Sequence, residues 1–150
     1  MLRHLVLTAI VSAAALTGAA PAAAAGSPLP LPLEPVLDGR VPDRLTLVVA
    51  ATGNPRTDGT YELECGPAGG SHPSAQSACA RLDQLAREGR DPFAPVPERQ
   101  MCTQQSGGPA NARITGTWQG RHVDASFSRA NGCEISRWKS LEPVLPNTRS

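Results

Sequence analysis

All four cysteines of this 150-residue chain, Cys65, Cys79, Cys102 and Cys133, lie after residue 60. Four thiols permit three pairings, and each pairing dictates which segments must lie side by side. Whether they pair at all depends on the compartment, and the N-terminus addresses that. Residues 1–25 read as a secretory signal, with Arg3 and His4 as a short basic start, an apolar run over 5–16, and Ala23-Ala24-Ala25 as a small-residue cleavage site. The apolar run is shorter than the roughly 20 residues of a membrane-spanning helix. The expected product is therefore secreted, extracellular and free of the membrane once the signal is removed. Its oxidising surroundings favour disulfides over free thiols.

Removing the signal leaves 125 of the 150 residues, enough for one domain with a modest core. That core has few large side chains to draw on: Tyr61, Phe93, Trp118, Phe127 and Trp138 are the full aromatic set. A core so limited gains from covalent cross-links. The net charge is +1, with acidic and basic residues interspersed. No basic block points to nucleic acid, and no acidic run points to a charged partner.

Residues 26–43 are rich in proline and leucine without a helical or strand period, and are expected to form an extended arm. From Arg44 the pattern changes. Leu45, Leu47 and Val49 alternate with Thr46 and Val48, predicting a strand with both faces largely buried. Asn54-Pro55 and Asp58-Gly59 mark a turn, and Tyr61, Leu63 and Cys65 predict a second strand antiparallel to the first. A helix follows, capped by Ser71 or Ser74. Ala75, Ala78, Cys79, Leu82, Leu85 and Ala86 lie on one face, and Gly89 stops it. Pro92, Pro95 and Pro97 exclude regular structure up to Met101. Ala112, Ile114, Gly116 and Trp118, then Val123, Ala125 and Phe127, predict a hairpin turning at Gln119-Gly120. Residues 141–150, with Pro143 and Pro146, read as a flexible tail. The domain is thus expected over 44–140, as an α+β fold with an antiparallel sheet and one main helix packed on it.

On these elements the favoured pairing is Cys65 with Cys79, stapling helix to sheet, and Cys102 with Cys133, closing a polar loop and the hairpin into one unit. The other two pairings remain open. A zinc site built from Cys65, His72, Cys79 and Cys102 is the competing use. It lacks the close ligand pairs typical of structural zinc, and no metal or cofactor is expected. Catalysis needs convergent groups. His72 precedes a proline, His122 opens a strand, and Asp83 and Glu88 lie on the exposed helix face. No nucleophile elbow and no zinc-protease helix motif occurs. The chain is not expected to be an enzyme.

Six segments follow one another over residues 44–135: Arg44-Leu45-Thr46-Leu47-Val48-Val49; Leu63-Glu64-Cys65-Gly66-Pro67; Ser71-His72-Pro73 with Ala78-Cys79-Ala80; Met101-Cys102; Gly116-Thr117-Trp118-Gln119-Gly120-Arg121-His122-Val123; and Asn131-Gly132-Cys133-Glu134. In this order and spacing the chain resembles the Streptomyces subtilisin inhibitor family of serine protease inhibitors. The resemblance implies secretion, a sheet of about five antiparallel strands with a main and a short second helix, and the disulfide pairing favoured above. It also implies a homodimer formed through the sheet, and inhibition of secreted subtilisin-like, in some members trypsin-like, proteases.

In that family the cleavable bond follows the second residue after the third cysteine. Carried over, Gln104 enters the primary pocket of the protease and Gln105 lies on the leaving side. Thr103 and Ser106 flank the bond, and Asn131 matches the asparagine that buttresses the loop. The chain departs from the family at this point. Members usually carry methionine, lysine or arginine where Gln104 stands, then a bulky residue and an aspartate before a proline. This loop reads Gln104-Gln105-Ser106-Gly107-Gly108-Pro109. The two glycines imply added chain freedom, about 0.5–1 kcal/mol each. They favour a second reading, a secreted binding protein of the same fold that no longer inhibits. A third reading makes Gln104 and Gln105 acceptors for a secreted transglutaminase.

Overall fold

The computed structural model describes residues 42–148. The expected signal over 1–25, the arm as far as residue 41, and residues 149 and 150 lie outside the described residues. Six elements follow in order: β1 (Asp43–Ala50), β2 (Gly59–Cys65), α1 (Ala75–Arg87), β3 (Asn111–Trp118), β4 (Arg121–Phe127) and α2 (Gly132–Ser140). The four strands form one antiparallel sheet in the order β2-β1-β3-β4. Among the described residues the sheet thus has four strands, close to the about five expected. After β4 the chain enters α2 at Asn131, whose Oδ1 accepts from the Glu134 amide at 3.0 Å and caps the helix.

β1 lies at the centre, with Leu47 opposite both Tyr61 and Ile114. Period-two alternation sends Leu45, Leu47, Val49, Leu63, Ile114, Trp118, Val123, Ala125 and Phe127 to one face, where all are buried. The other face departs from the expectation that β1 is covered on both sides. Val48 there is 48% exposed, and its surroundings are polar. Arg44 pairs with Glu64 at 2.6 Å, and Arg113 with Asp124 at 2.7 Å. Both helices are thus left to cover the inner face alone.

α1 presents Ala78, Cys79, Leu82 and Leu85 to the core, and the Cys65–Cys79 disulfide ties it to the end of β2. Gly89 ends it in the left-handed region, φ +71°. Its amide donates to the Ala86 carbonyl at 3.0 Å and that of Arg90 to Leu85 at 2.9 Å, which closes the helix with the double bond pattern characteristic of a C-terminal glycine. Neither expected serine caps the start through its side chain. Ser74 holds the capping position without a side-chain bond, and Ser71 Oγ instead accepts from the Glu62 amide at 2.9 Å. The work at this end falls to His72, whose Nδ1 accepts from the Ser74 amide at 3.1 Å.

The segment after residue 140 is not a loose tail in the part described. Leu141, Val144 and Leu145 are at most 1% exposed and belong to the core. Trp138 Nε1 donates to the Pro146 carbonyl at 2.9 Å, and His72 Nε2 bonds the Val144 carbonyl at 3.0 Å. The prolines break regular structure but leave three apolar side chains free to fill the gap between the two helices' ends and the sheet. No described helix is long and apolar enough to cross a membrane.

Candidate functional site

Between Gly89 and Asn111 the chain forms turns and irregular backbone only, as the prolines predict. Within it, residues 103–106 are exposed, and Met101 beside them is 94% exposed. Neither Gln104 nor Gln105 makes a side-chain hydrogen bond with the described residues. No side chain from Met101 to Ala110 carries a charge, so the loop offers shape and backbone groups rather than an electrostatic field.

An exposed loop without regular structure usually wanders. This one is pinned on both sides. Upstream, Cys102 is joined to Cys133 with a Cα–Cα distance of 5.4 Å, and the Gly132 amide donates to the Thr103 carbonyl at 3.0 Å. Downstream, the Gly107 amide donates to the Arg129 carbonyl at 2.8 Å. Ala110, 3% exposed, then anchors the chain in the core before β3 begins. Both pins lie on residues 129–133, the short connection after β4 and the start of α2. That connection is itself held by the helix cap at Asn131.

The glycines in this region are positioned, contrary to the reading that they loosen the loop. A Cβ on Gly107 would lie 2.9 Å from Ile135 Cγ1 and 3.1 Å from Arg129 Cβ, and Gly108 adopts φ +95°. Gly132 packs so closely on Thr103 that a Cβ would collide with the threonine hydroxyl. Glycine here lets two backbones approach, a use distinct from freedom of motion. Asn131, expected to buttress the loop, spends its side-chain oxygen on the α2 cap. The capped first turn holds Gly132 and Cys133, the residues bonded to Thr103 and Cys102.

Arg137 was not singled out by its sequence context, a polar stretch with no recognisable motif. Its guanidinium donates to the carbonyls of Ala94 at 2.7 Å, Phe93 at 3.2 Å and Ser126 at 2.7 Å, and pairs with Glu134 at 3.3 Å. It also lies over the Phe127 ring, 4.0 Å from its centroid. One side chain thereby joins the proline segment, β4 and α2, and forms the floor of a 560 Å³ groove beside Met101, Thr103 and Gln105.

The thiols a zinc site would need are in disulfides, and among the described residues no cluster of His, Cys, Asp and Glu is placed to hold a metal. His72 is buried with both ring nitrogens engaged, while His122, Asp83 and Glu88 are exposed and scattered.

Residues 41–131 match the family model described as "Subtilisin inhibitor-like". Protease inhibitor SIL-V5 of Streptomyces luteoverticillatus is 32% identical over 102 residues, covering 65% of this chain and 93% of that protein. A subtilase-type protease inhibitor of Streptomyces coelicolor is 37% identical over 134 residues, covering 85% and 83%. The crystal structure of Streptomyces caespitosus sermetstatin in complex with Bacillus licheniformis subtilisin aligns at 23% identity with a TM-score of 0.45, covering 71% of this chain and all of that one. With its two disulfides, its antiparallel sheet and a family match spanning more than half its length, the chain belongs to the subtilisin inhibitor-like family.

Proposed function

We propose that this protein is a secreted, reversible inhibitor of subtilisin-like serine proteases, acting through the bond between Gln104 and Gln105. The observation that carries this reading is the pair of pins around residues 103–106. An extended, exposed segment adds backbone hydrogen bonds to a protease edge as a substrate does. The protease serine attacks the Gln104 carbonyl, and the leaving amine is that of Gln105. In an ordinary substrate the amine then diffuses away. Here Gln104 is held through Thr103 and Cys102, and Gln105 through Gly107, both to residues 129–133. The new amine stays beside the acyl group at high effective concentration, so resynthesis competes with hydrolysis. Ordering the loop before binding also lowers the entropic cost of association. The protein supplies no catalytic group of its own to this cycle.

A subtilisin inhibition assay on purified protein tests the reading, with cleavage mapping at limiting protease. The expected result is tight inhibition and a single slow cut after Gln104. Absence of inhibition, with scattered cuts across 106–109, would leave only an ordinary substrate loop. The non-inhibitory reading rested on two loose glycines, and the close packing of Gly107 against Ile135 and Arg129 weighs against it. The transglutaminase reading keeps one favourable observation, two adjacent exposed glutamines without side-chain hydrogen bonds. Incorporation of a labelled amine at either residue tests it.

The same reading includes a homodimer through the outer sheet face. Half-buried Thr46, Thr115 and Thr117 and exposed Val48 form a flat centre there, between the Arg44–Glu64 and Arg113–Asp124 pairs. Sedimentation at micromolar concentration should give twice the monomer mass, and Val48→Lys should return it to the monomer.

A further inference from the structure

Arg129 does more than accept the Gly107 amide. Among the described residues its side-chain Nε is buried with no hydrogen-bond partner, and so is the hydroxyl of Thr148. Buried donors without partners are uncommon, and each calls for an explanation. Both residues line one cavity of about 400 Å³, between the β1–β2 turn at Thr52 and Asn54 and the leaving-side end of the loop at Gly107 and Gly108. No carboxylate belongs to that lining, and among the described residues Arg129 forms no ion pair. Asp58, in the same turn, has Oδ1 taken by the Thr52 amide at 3.0 Å and the Thr52 hydroxyl at 2.6 Å.

We propose that this cavity is a binding site for a small oxyanion, with the Arg129 guanidinium as its cationic donor and the Thr148 hydroxyl as a second donor. A guanidinium offers five N–H groups in a planar fork that matches phosphate and carboxylate oxygens. Such charge-assisted bonds form most strongly where water is partly excluded. The site joins three parts of the chain that neither disulfide connects directly: the β1–β2 turn, the loop at Gly107, and the segment ending at Thr148. An anion held there would order the leaving-side end of the loop. The binding itself does not depend on the loop's being inhibitory.

The test is an NMR titration of the ¹⁵N-labelled protein with inorganic phosphate and, separately, acetate at constant ionic strength. The expected result is a saturable shift of the Arg129 Nε–H signal and the Gly107 and Gly108 amides, with slower amide exchange at both glycines. Tighter binding of phosphate identifies a phosphate-type ligand, and tighter or equal binding of acetate a carboxylate. Arg129→Gln should weaken binding roughly tenfold or more, Arg129→Lys less, and Thr148→Val several-fold. Thr148→Val keeps the side-chain shape and carries the test even if Arg129→Gln does not fold. Non-saturating shifts, shifts spread equally over Arg56, Arg87 and Arg99, or unchanged affinity in a folded Arg129→Gln or Thr148→Val would overturn the proposal.

Discussion

Removing each disulfide in turn should separate stability from inhibition. The Cys65–Cys79 bond spans 14 residues and the Cys102–Cys133 bond spans 31. In the chain-entropy model these restrict the unfolded chain by about 3.0 and about 3.7 kcal/mol respectively. Cys65→Ala/Cys79→Ala and Cys102→Ala/Cys133→Ala should therefore lose comparable stability in urea denaturation, the second slightly more. Cys79 is buried, and its truncation adds a packing loss that narrows the gap further. Inhibition should divide the two sharply. The Cys65–Cys79 bond holds α1 to β2, on the far side of the sheet order from β4. The Cys102–Cys133 bond is the covalent half of the upstream pin. Without it the Thr103–Gly132 hydrogen bond alone holds the acyl side, and a single such bond contributes only about 1 kcal/mol net. Measured at a temperature where both variants are folded, the first should inhibit subtilisin nearly as the parent does. The second should be cut after Gln104 and lose inhibition as cleavage proceeds. If the Cys102–Cys133 variant inhibits undiminished and is cleaved no faster, the tether argument is wrong.

Three further outcomes follow from particular side chains. Gln104→Lys should create trypsin inhibition by pairing with the carboxylate in that enzyme's pocket, and Gln104→Met should tighten subtilisin binding by about 1 kcal/mol through apolar burial; titration against both enzymes checks this, and a folded Gln104→Lys inactive on trypsin would reject the register. Gly107→Ala, with its Cβ 2.9 Å from Ile135 Cγ1, should cost roughly 1–3 kcal/mol and speed loop cleavage, where a merely flexible glycine would gain from the change; urea melts and cleavage rates decide. Burial holds His72 below its ordinary 6.5, with the Val144 carbonyl acting in the opposite sense. The unfolded chain therefore takes up a proton that the folded one refuses, so stability is full above pH 6.5 and falls as the pH drops toward the folded-state value, by up to about 1.4 kcal/mol per pH unit. Denaturation at pH 7.5 and 5.5 should show that slope in the parent, and it should be reduced in His72→Gln.

What the sequence determined by itself is what neighbouring residues enforce on one another. The β3–β4 hairpin is readable because Ile114, Trp118, Val123 and Phe127 alternate about Gln119 and Gly120, whose φ of 49° and 73° suit a tight turn between twisted strands. α1 is readable because Ala78, Leu82 and Leu85 recur at helical spacing and Gly89 follows. The loop was located by Cys102 and by the resemblance of the segments around it. The tertiary structure alone decided which faces are covered. Alternation along β1 shows two apolar sets, but only the placement of both helices on one side leaves Val48 in solvent. It also turned Leu141, Val144 and Leu145 from a proline-broken tail into core, because the gap they fill is bounded by α1 and the sheet, far away in the chain, as well as by α2. Gly107 is slack by its residue type alone, and only the packing of Arg129 and Ile135 against it makes it a fixed point. Periodicity encodes contacts across a few residues. The pins on the loop join positions more than twenty apart, and such contacts exist only once the whole chain has closed around its core.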